Sequence, residues 1–325
     1  MLHYPQEDTL MKKRLLLLAF LISLIATNLY LDRPFVFSPN AVVHIESEAQ
    51  FLRVVKAIQK KYSDNNYNGL FPVFNDSRNS AETGAKAPDH STTNTQIAGV
   101  DEADIIKTNG LYIYQLTSNH LKIIKSFPIN EASVVNKISL DESESGYFYQ
   151  MFLDDDYLVL LGNRWDYDSG ANGPGYRSEG IRMPFWGRSF QVINVYHLEN
   201  PEKPKLVKSF EIEGYGLAAR KIDNKVVLVT NKGNWGFYRT EGTESTSLLP
   251  SYKIDGDEKV VDPVGVSIIG EPQSLDMLTI TTLALGSKIN IEMETMMGSG
   301  NQVMATREHI YIAKEIYPEY NPTAP

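Results

Sequence analysis

The sequence predicts an all-β fold built from a repeated unit of four antiparallel strands, and three observations lead there. From Asn94 onward, short apolar or alternating runs are broken by Gly, Asn, Asp and Pro, which is strand texture without an intervening helical period. A tight hairpin pattern recurs, in which a turn of Asn, Asp or charged residues leads into a short apolar strand: TNGLYIY, DDDYLVL, DNKVVLV and REHIYIA. Each has another strand just upstream (ADIIKT, YFYQMFL, LAARKI, QVMAT), and the first three have two more downstream. Those pairs are LKIIKSF with NKISL, FQVINVYHL with KLVKSFEI, and LTITTLAL with KINIEME. Four strands in about 45 residues is the size of a propeller blade. A β-sandwich also uses short strands, but it need not repeat this hairpin.

The region ahead of the repeats divides by composition. Residues 1–14 end in Lys12, Lys13 and Arg14, and residues 15–31 form an uncharged run closed by Asp32 and Arg33. That run is at the low end for crossing a bilayer and long for the core of a cleaved signal. With basic residues on its N-terminal side, it predicts a signal anchor, a cytoplasmic N-terminus and an extracytoplasmic remainder; a cleaved signal is the alternative. In residues 45–62, Ser47 and Gln50 have capping-box spacing, and Phe51, Val54, Val55, Ile58 and Tyr62 share one helical face. Residues 63–93 are rich in Asn, Ser, Asp, Gly and Ala and read as a loose linker, leaving 94–325 for the β domain.

The repeats also carry a family resemblance. TNTQIAGVDEADIIKTNGLYIYQL resembles the opening signature of secreted or membrane-anchored bacterial and archaeal proteins with a C-terminal β-propeller domain distantly related to WD40 repeats. GYGLAARKIDNKVVLVTNKG, LLPSYKIDGDEKVVDP and MGSGNQVMATREHIYIAKE resemble later segments of that family in the same order. The resemblance covers residues 45 to 316 and implies fold and exported location; it brings no established activity or ligand.

Composition and motifs remove several functions. With 31 basic and 40 acidic residues the formal charge is -9, and no basic run exceeds Lys12–Arg14, so no nucleic-acid partner is expected. The chain has no cysteine, which excludes disulfides and thiolate chemistry. The DEAD run at 101–104 matches a helicase signature, but no Gly-Lys dipeptide exists to cradle phosphates. Gly214-Tyr-Gly-Leu-Ala-Ala has dinucleotide-fingerprint spacing, yet a turn and strand follow where that motif needs a helix. Asp166 and Asp168 open a stretch like a calcium loop, but Arg177 stands where the bidentate Glu belongs. No G-x-S-x-G or H-E-x-x-H occurs.

Two groups remain as candidate ligand contacts. Asp101, Glu102 and Asp104 open the first repeat; they either cap turns and pair with Lys107 or an arginine, or line a channel mouth. There they would suit Ca²⁺, the one cofactor considered, or serve a hydrolase or lyase. Trp165, Trp186 and Trp235 lie in the stretches after the second strands of two repeats, read as loops beside Arg-bearing sequence. Aromatic and Arg side chains on scaffold-held loops suit recognition of an envelope protein, peptide or glycan, or else the tryptophans cover the sheet ends. Strand alternation predicts that both groups share one face. Counting from Ala103 gives three four-stranded units and one hairpin, about three and a half blades. Rings close at roughly four to eight blades, so this is expected to be the N-terminal part of a propeller, truncated or closed by a completing chain.

Overall fold

The computed structural model describes residues 41–64, 99–117, 120–140, 146–166, 188–234 and 244–314, with isolated positions between 12 and 37. The described chain begins with β1 (Val42–His44), helix α1 (Glu48–Asp64) and β2 (Val100–Glu102). Sheet I follows as β3 (Ile106–Thr108), β4 (Tyr112–Thr117), β5 (His120–Lys125) and β6 (Ser133–Ser139), paired in that order. Sheet II contains β7 (Tyr147–Leu153), β8 (Tyr157–Asp166), β9 (Arg188–His197) and β10 (Lys205–Glu213). Sheet III starts with β11 (Tyr215–Ile222) and β12 (Lys225–Lys232).

The chain then leaves sheet III. A short helix, α2 (Ser245–Leu248), precedes the hairpin β13 (Ser251–Ile254) and β14 (Asp257–Val260). This hairpin extends sheet II from β10. Its turn is Asp255–Gly256, with φ of 51° and 94°, both in the left-handed region that a two-residue I′ connection requires. Next come β15 (Ser267–Ile269), β16 (Met277–Ala284) and β17 (Asn290–Met297), which return to sheet III. The order of sheet III is β1-β15-β17-β16-β12-β11-β2. A separate hairpin, β18 (Gln302–Ala305) with β19 (Ile310–Ala313), ends the described chain.

The predicted strands therefore exist, with three departures. The hairpin at 251–260 joins sheet II, β2 pairs with sheet III ahead of sheet I, and α2 interrupts the strand series. The described sheets do not close into a ring. The anchor stretch 15–31 lies almost wholly outside the described residues. Among the described residues no helix is long and apolar enough to cross a membrane.

Three apolar clusters hold the layers. Tyr114, Leu116, Leu121 and Ile123 of sheet I meet Phe148, Met151, Leu158 and Leu160 of sheet II. Phe152, Val159, Ile193 and Phe210 of sheet II meet Val226, Leu228 and Leu283 of sheet III. The third cluster seats α1. The Ser47 hydroxyl accepts the Gln50 N–H, and the Gln50 side chain accepts the Glu46 N–H, which fixes the helix start. Phe51, Val54, Val55 and Ile58 then bury against Leu248, Leu249, Leu275, Met277 and Met297. Each contributes roughly 1.5–3 kcal/mol. The helix is thus part of the β domain's core, whereas the sequence suggested a separate element.

Every sheet has two ends. Sheets II and III place the tight turns 154–156 and 223–224 at one, the turn end. The opposite loop end carries Asp166, Arg188, Glu213 and Lys232, where the long connections leave the sheets.

Candidate functional site

The carboxylates of the opening signature sit where three sheets meet. In β2, Asp101 lies opposite Lys221 and Glu102 opposite Arg220, on the free side of β11. Two residues on, Asp104 exchanges backbone hydrogen bonds with Met151 of β7, at 3.0 and 2.8 Å. The Ile105 carbonyl then accepts the Leu116 N–H of sheet I at 2.8 Å. One short segment thus ties sheet III to sheet II to sheet I.

Side chains reinforce the junction. Lys107, 7% exposed, donates from Nζ to both carboxylate oxygens of Asp101 (2.9 and 3.1 Å) and to the Glu102 carbonyl (2.8 Å). Glu102 faces Arg220 at 3.7 Å, and Lys221 meets Asp154 of the β7–β8 turn at 2.8 Å. Asp104 Oδ1 accepts the Ile105 N–H at 2.6 Å, a local turn cap. Asp101 and Glu102 are engaged by cations and Asp104 by the backbone. Among the described residues, no three His, Cys, Asp or Glu side chains gather to hold a metal.

The tryptophans belong elsewhere. Trp165 is inside β8, opposite Ser189, because the β8–β9 ladder runs on to Asp166–Arg188, past the polar residues that suggested a loop. Its side chain is 56% exposed. Met151 pairs with Leu160, five residues back along β8, so Trp165 is roughly 16 Å along the strand from the level of Asp104. The structure brings Asp101, Glu102 and Asp104 together and leaves Trp165 at the loop end, apart from them, where the sequence suggested a common face. Trp186, Trp235 and the 168–177 calcium-like stretch lie outside the described residues.

Around Trp165 the loop end is strongly charged. Arg164 grips Glu211 through Nε (3.1 Å) and Nη2 (2.7 Å). The buried ring of Phe190 is flanked by Arg164, Arg188 and Lys253, at 4.5, 5.2 and 5.9 Å from its centroid. Arg188 also reaches Asp166 at 3.2 Å and Glu258 at 3.5 Å, so the cations are matched by carboxylates. From Arg188 a polar chain runs inward. Arg188 donates to the Ser251 hydroxyl at 3.3 Å, and Ser251 donates from both N–H and Oγ to Glu213 Oε2 at 3.1 Å. Lys232 donates to the same oxygen at 3.1 Å and to the carbonyls of Ser247 and Leu249 at 3.1 and 2.9 Å. Burial pushes the Lys232 ammonium below its ordinary value, against the upward pull of Glu213.

Two residues further, Asn234 donates from its side chain to the carbonyls of Leu248 and Leu275, and from its backbone to Asp276 Oδ1 at 2.9 Å. Burial raises the Asp276 carboxyl, while that backbone N–H and Lys314 pull it down. Sequence reading missed Glu213, Lys232, Asn234 and Asp276. No motif marks them; the only signal is charge or amide placed at the ends of otherwise apolar strands.

Stacked, mainly antiparallel sheets of four, six and seven strands, with their connections gathered at two ends, are the build of a propeller-type repeat protein. The chain belongs to the beta propeller domain family, whose model matches residues 90–324. It is also similar to an uncharacterized protein of Methanocaldococcus jannaschii, 28% identical over 184 residues. That stretch covers 54% of this chain and 24% of the relative, so the chain spans under a quarter of the relative's length. No solved structure matches the chain.

Proposed function

We propose that this chain is a membrane-anchored, extracytoplasmic propeller scaffold that recognises a peptide, glycan or partner protein of the envelope on its loop end. The observation that carries the reading is the polar chain Arg188–Ser251–Glu213–Lys232. It joins the base of the β8–β9 connection to the base of the connection after β12, the two that carry Trp186 and Trp235 in sequence. Residues held at fixed strand ends on a rigid sheet are positioned for recognition. Trp165, exposed at the loop end on the face of β8 opposite to Arg164 and Arg188, is the described residue on which binding is expected to depend.

The test is covalent capture in the host envelope, with the full chain compared to Trp165→Ala. A partner lost in the variant at unchanged melting temperature supports the reading; equal capture overturns it. Location is tested by fusing a reporter active only after export at Gly84. A silent reporter there, with activity only in cytoplasmic fusions, would reverse the topology.

The reading includes a further propeller chain seated against the ends of the sheet series. Support comes from apolar residues left uncovered at both ends of the sheet series. Ile106 and Val134 of sheet I are 48% and 59% exposed, and Met304 and Tyr311 of the last hairpin 57% and 55%. A full chain that melts cooperatively as a soluble monomer in mild detergent would count against a missing partner.

A further inference from the structure

We propose that the loop end is the face turned toward the lipid surface, with its exposed aromatic and aliphatic residues seated at headgroup level. This rests on the anchoring reading above and deepens it. The register of sheet III supplies the direction. Lys232 of β12 pairs with Met277, Met277 with Met297, Met297 with Ile268, and Ile268 with Val43. Val42, opposite Ile269, is one step further toward the loop end, and the ladder continues with Gly270 N–H donating to the Ala41 carbonyl at 3.0 Å. The chain ahead of β1 therefore arrives from the loop end.

Its earlier course is pinned there too. Phe35 and Phe37, with ring centroids 5.1 Å apart, pack on the cluster that α1 forms with Leu248, Leu249 and Leu275. The guanidinium of Arg53 lies 6.0 Å from the Phe35 centroid. Three residues separate Leu31, the last of the predicted anchor, from Phe35, four steps of chain with a reach of at most about 14 Å. Residues 63–93, read as a linker from composition, do not lie between the anchor and the domain's core. From residue 65 on they follow α1, which takes in 63 and 64 and is already docked. A tether so short holds this end of the domain near the bilayer.

The surface fits that neighbour. Val42, Tyr147, Trp165, Tyr215, Val260 and Ile269 lie at or near loop-end strand termini and are 57, 48, 56, 40, 40 and 57% exposed. Tyr and Trp favour the membrane–water boundary, where an apolar ring body and a polar tip are both satisfied. Arg188, half exposed at the same end, is held by Asp166 and Glu258.

The absence of cysteine makes the test direct. Fluorophores are attached to full chains bearing Lys259→Cys, near the loop end, or Lys288→Cys, at the turn end. Both are reconstituted into vesicles of phosphatidylethanolamine and phosphatidylglycerol with an acceptor-labelled headgroup. Transfer from position 259 should exceed that from 288 at least about twofold, since β8 alone spans roughly 30 Å between the ends. Adding Trp165→Glu and Ile269→Glu should bring the ratio toward one while the protein still floats with the vesicles. Flotation with equal or reversed transfer overturns the orientation alone. A ratio unmoved by the two glutamates overturns the docking role of the apolar residues. A chain that fails to float overturns the anchoring reading and this inference together.

Discussion

Lys232→Met tests whether the polar chain beneath the loop end holds sheets II and III together. Lys232 and Glu213 side chains are each 10% exposed, and Lys232 Nζ has three acceptors within 3.1 Å. Methionine keeps most of the volume and removes the charge and all three bonds. Glu213 would keep its two Ser251 donors but lose its counter-ion, and the Ser247 and Leu249 carbonyls would lose this donor. Breaking a buried pair on one side costs about 3–5 kcal/mol. For a domain of this size that lowers the melting temperature by roughly 6–20 °C. Circular dichroism melts and urea titrations of the full chain in detergent provide the reading. The double variant Lys232→Met/Glu213→Leu should recover part of the loss, with a coupling energy near 2 kcal/mol, because no charge is then left buried alone. A single-variant loss below about 1 kcal/mol, or strict additivity of the two changes, would refute the reasoning.

Three other outcomes are expected. Gly214→Ala should destabilise by at least about 2 kcal/mol in urea titration, since the residue has φ 126° and an added Cβ would lie 2.6 Å from the Asn231 carbonyl. A loss under half that would mean the β10–β11 connection gives way easily. Asp276→Asn should flatten the pH dependence of stability. Burial raises the Asp276 carboxyl above its ordinary 3.8, so its contribution is full below that value and is lost as pH rises through the folded value. Urea midpoints from pH 4 upward should then fall less in the variant than in the parent; parallel profiles would contradict this. Lys107→Met should speed hydrogen exchange at the Asp104 and Met151 amides, which bridge sheets I and II, more than at Val192. Equal protection in variant and parent would show that the backbone alone holds the junction.

The strands were legible because their cause is local. In KVVLVT and LTITTLAL, β-branched and apolar residues crowd between polar turns, and both form the ladder centre of sheet III. What stayed hidden was edge membership. β13 follows β12 in sequence, yet it pairs with β10, because the β10 edge was free and Tyr252 could lie against the core beside Phe210. Periodicity identifies a strand's two faces and says nothing about which of several open edges it will choose. Trp165 looked like loop because Asn163, Arg164 and Asp166 break the apolar run, but pairing to Gln191, Phe190 and Arg188 carries the strand through them. Lys232 and Glu213 escaped notice for a similar reason. A charge at a strand end is normally wet, and only the arrival of α2 and Ser251 from later in the chain buries this pair.

The charged opening signature acquires a purpose from the shortness of β2. Three ladder rungs with Val100 as the one large apolar residue specify register weakly, since a slip by one residue costs little backbone pairing. The charges supply what the apolar pattern lacks. In the observed register Asp101 meets Lys107, which is 7% exposed, and Glu102 faces Arg220. A one-residue slip would turn the Asp101 carboxylate to the opposite face and take this counter-ion from a buried ammonium, at several kcal/mol. Since the chain from Val100 to Thr108 goes on to engage β7 and open sheet I, its register sets how three sheets meet. Carboxylates held this way fix the frame at the turn-end half of the sheets.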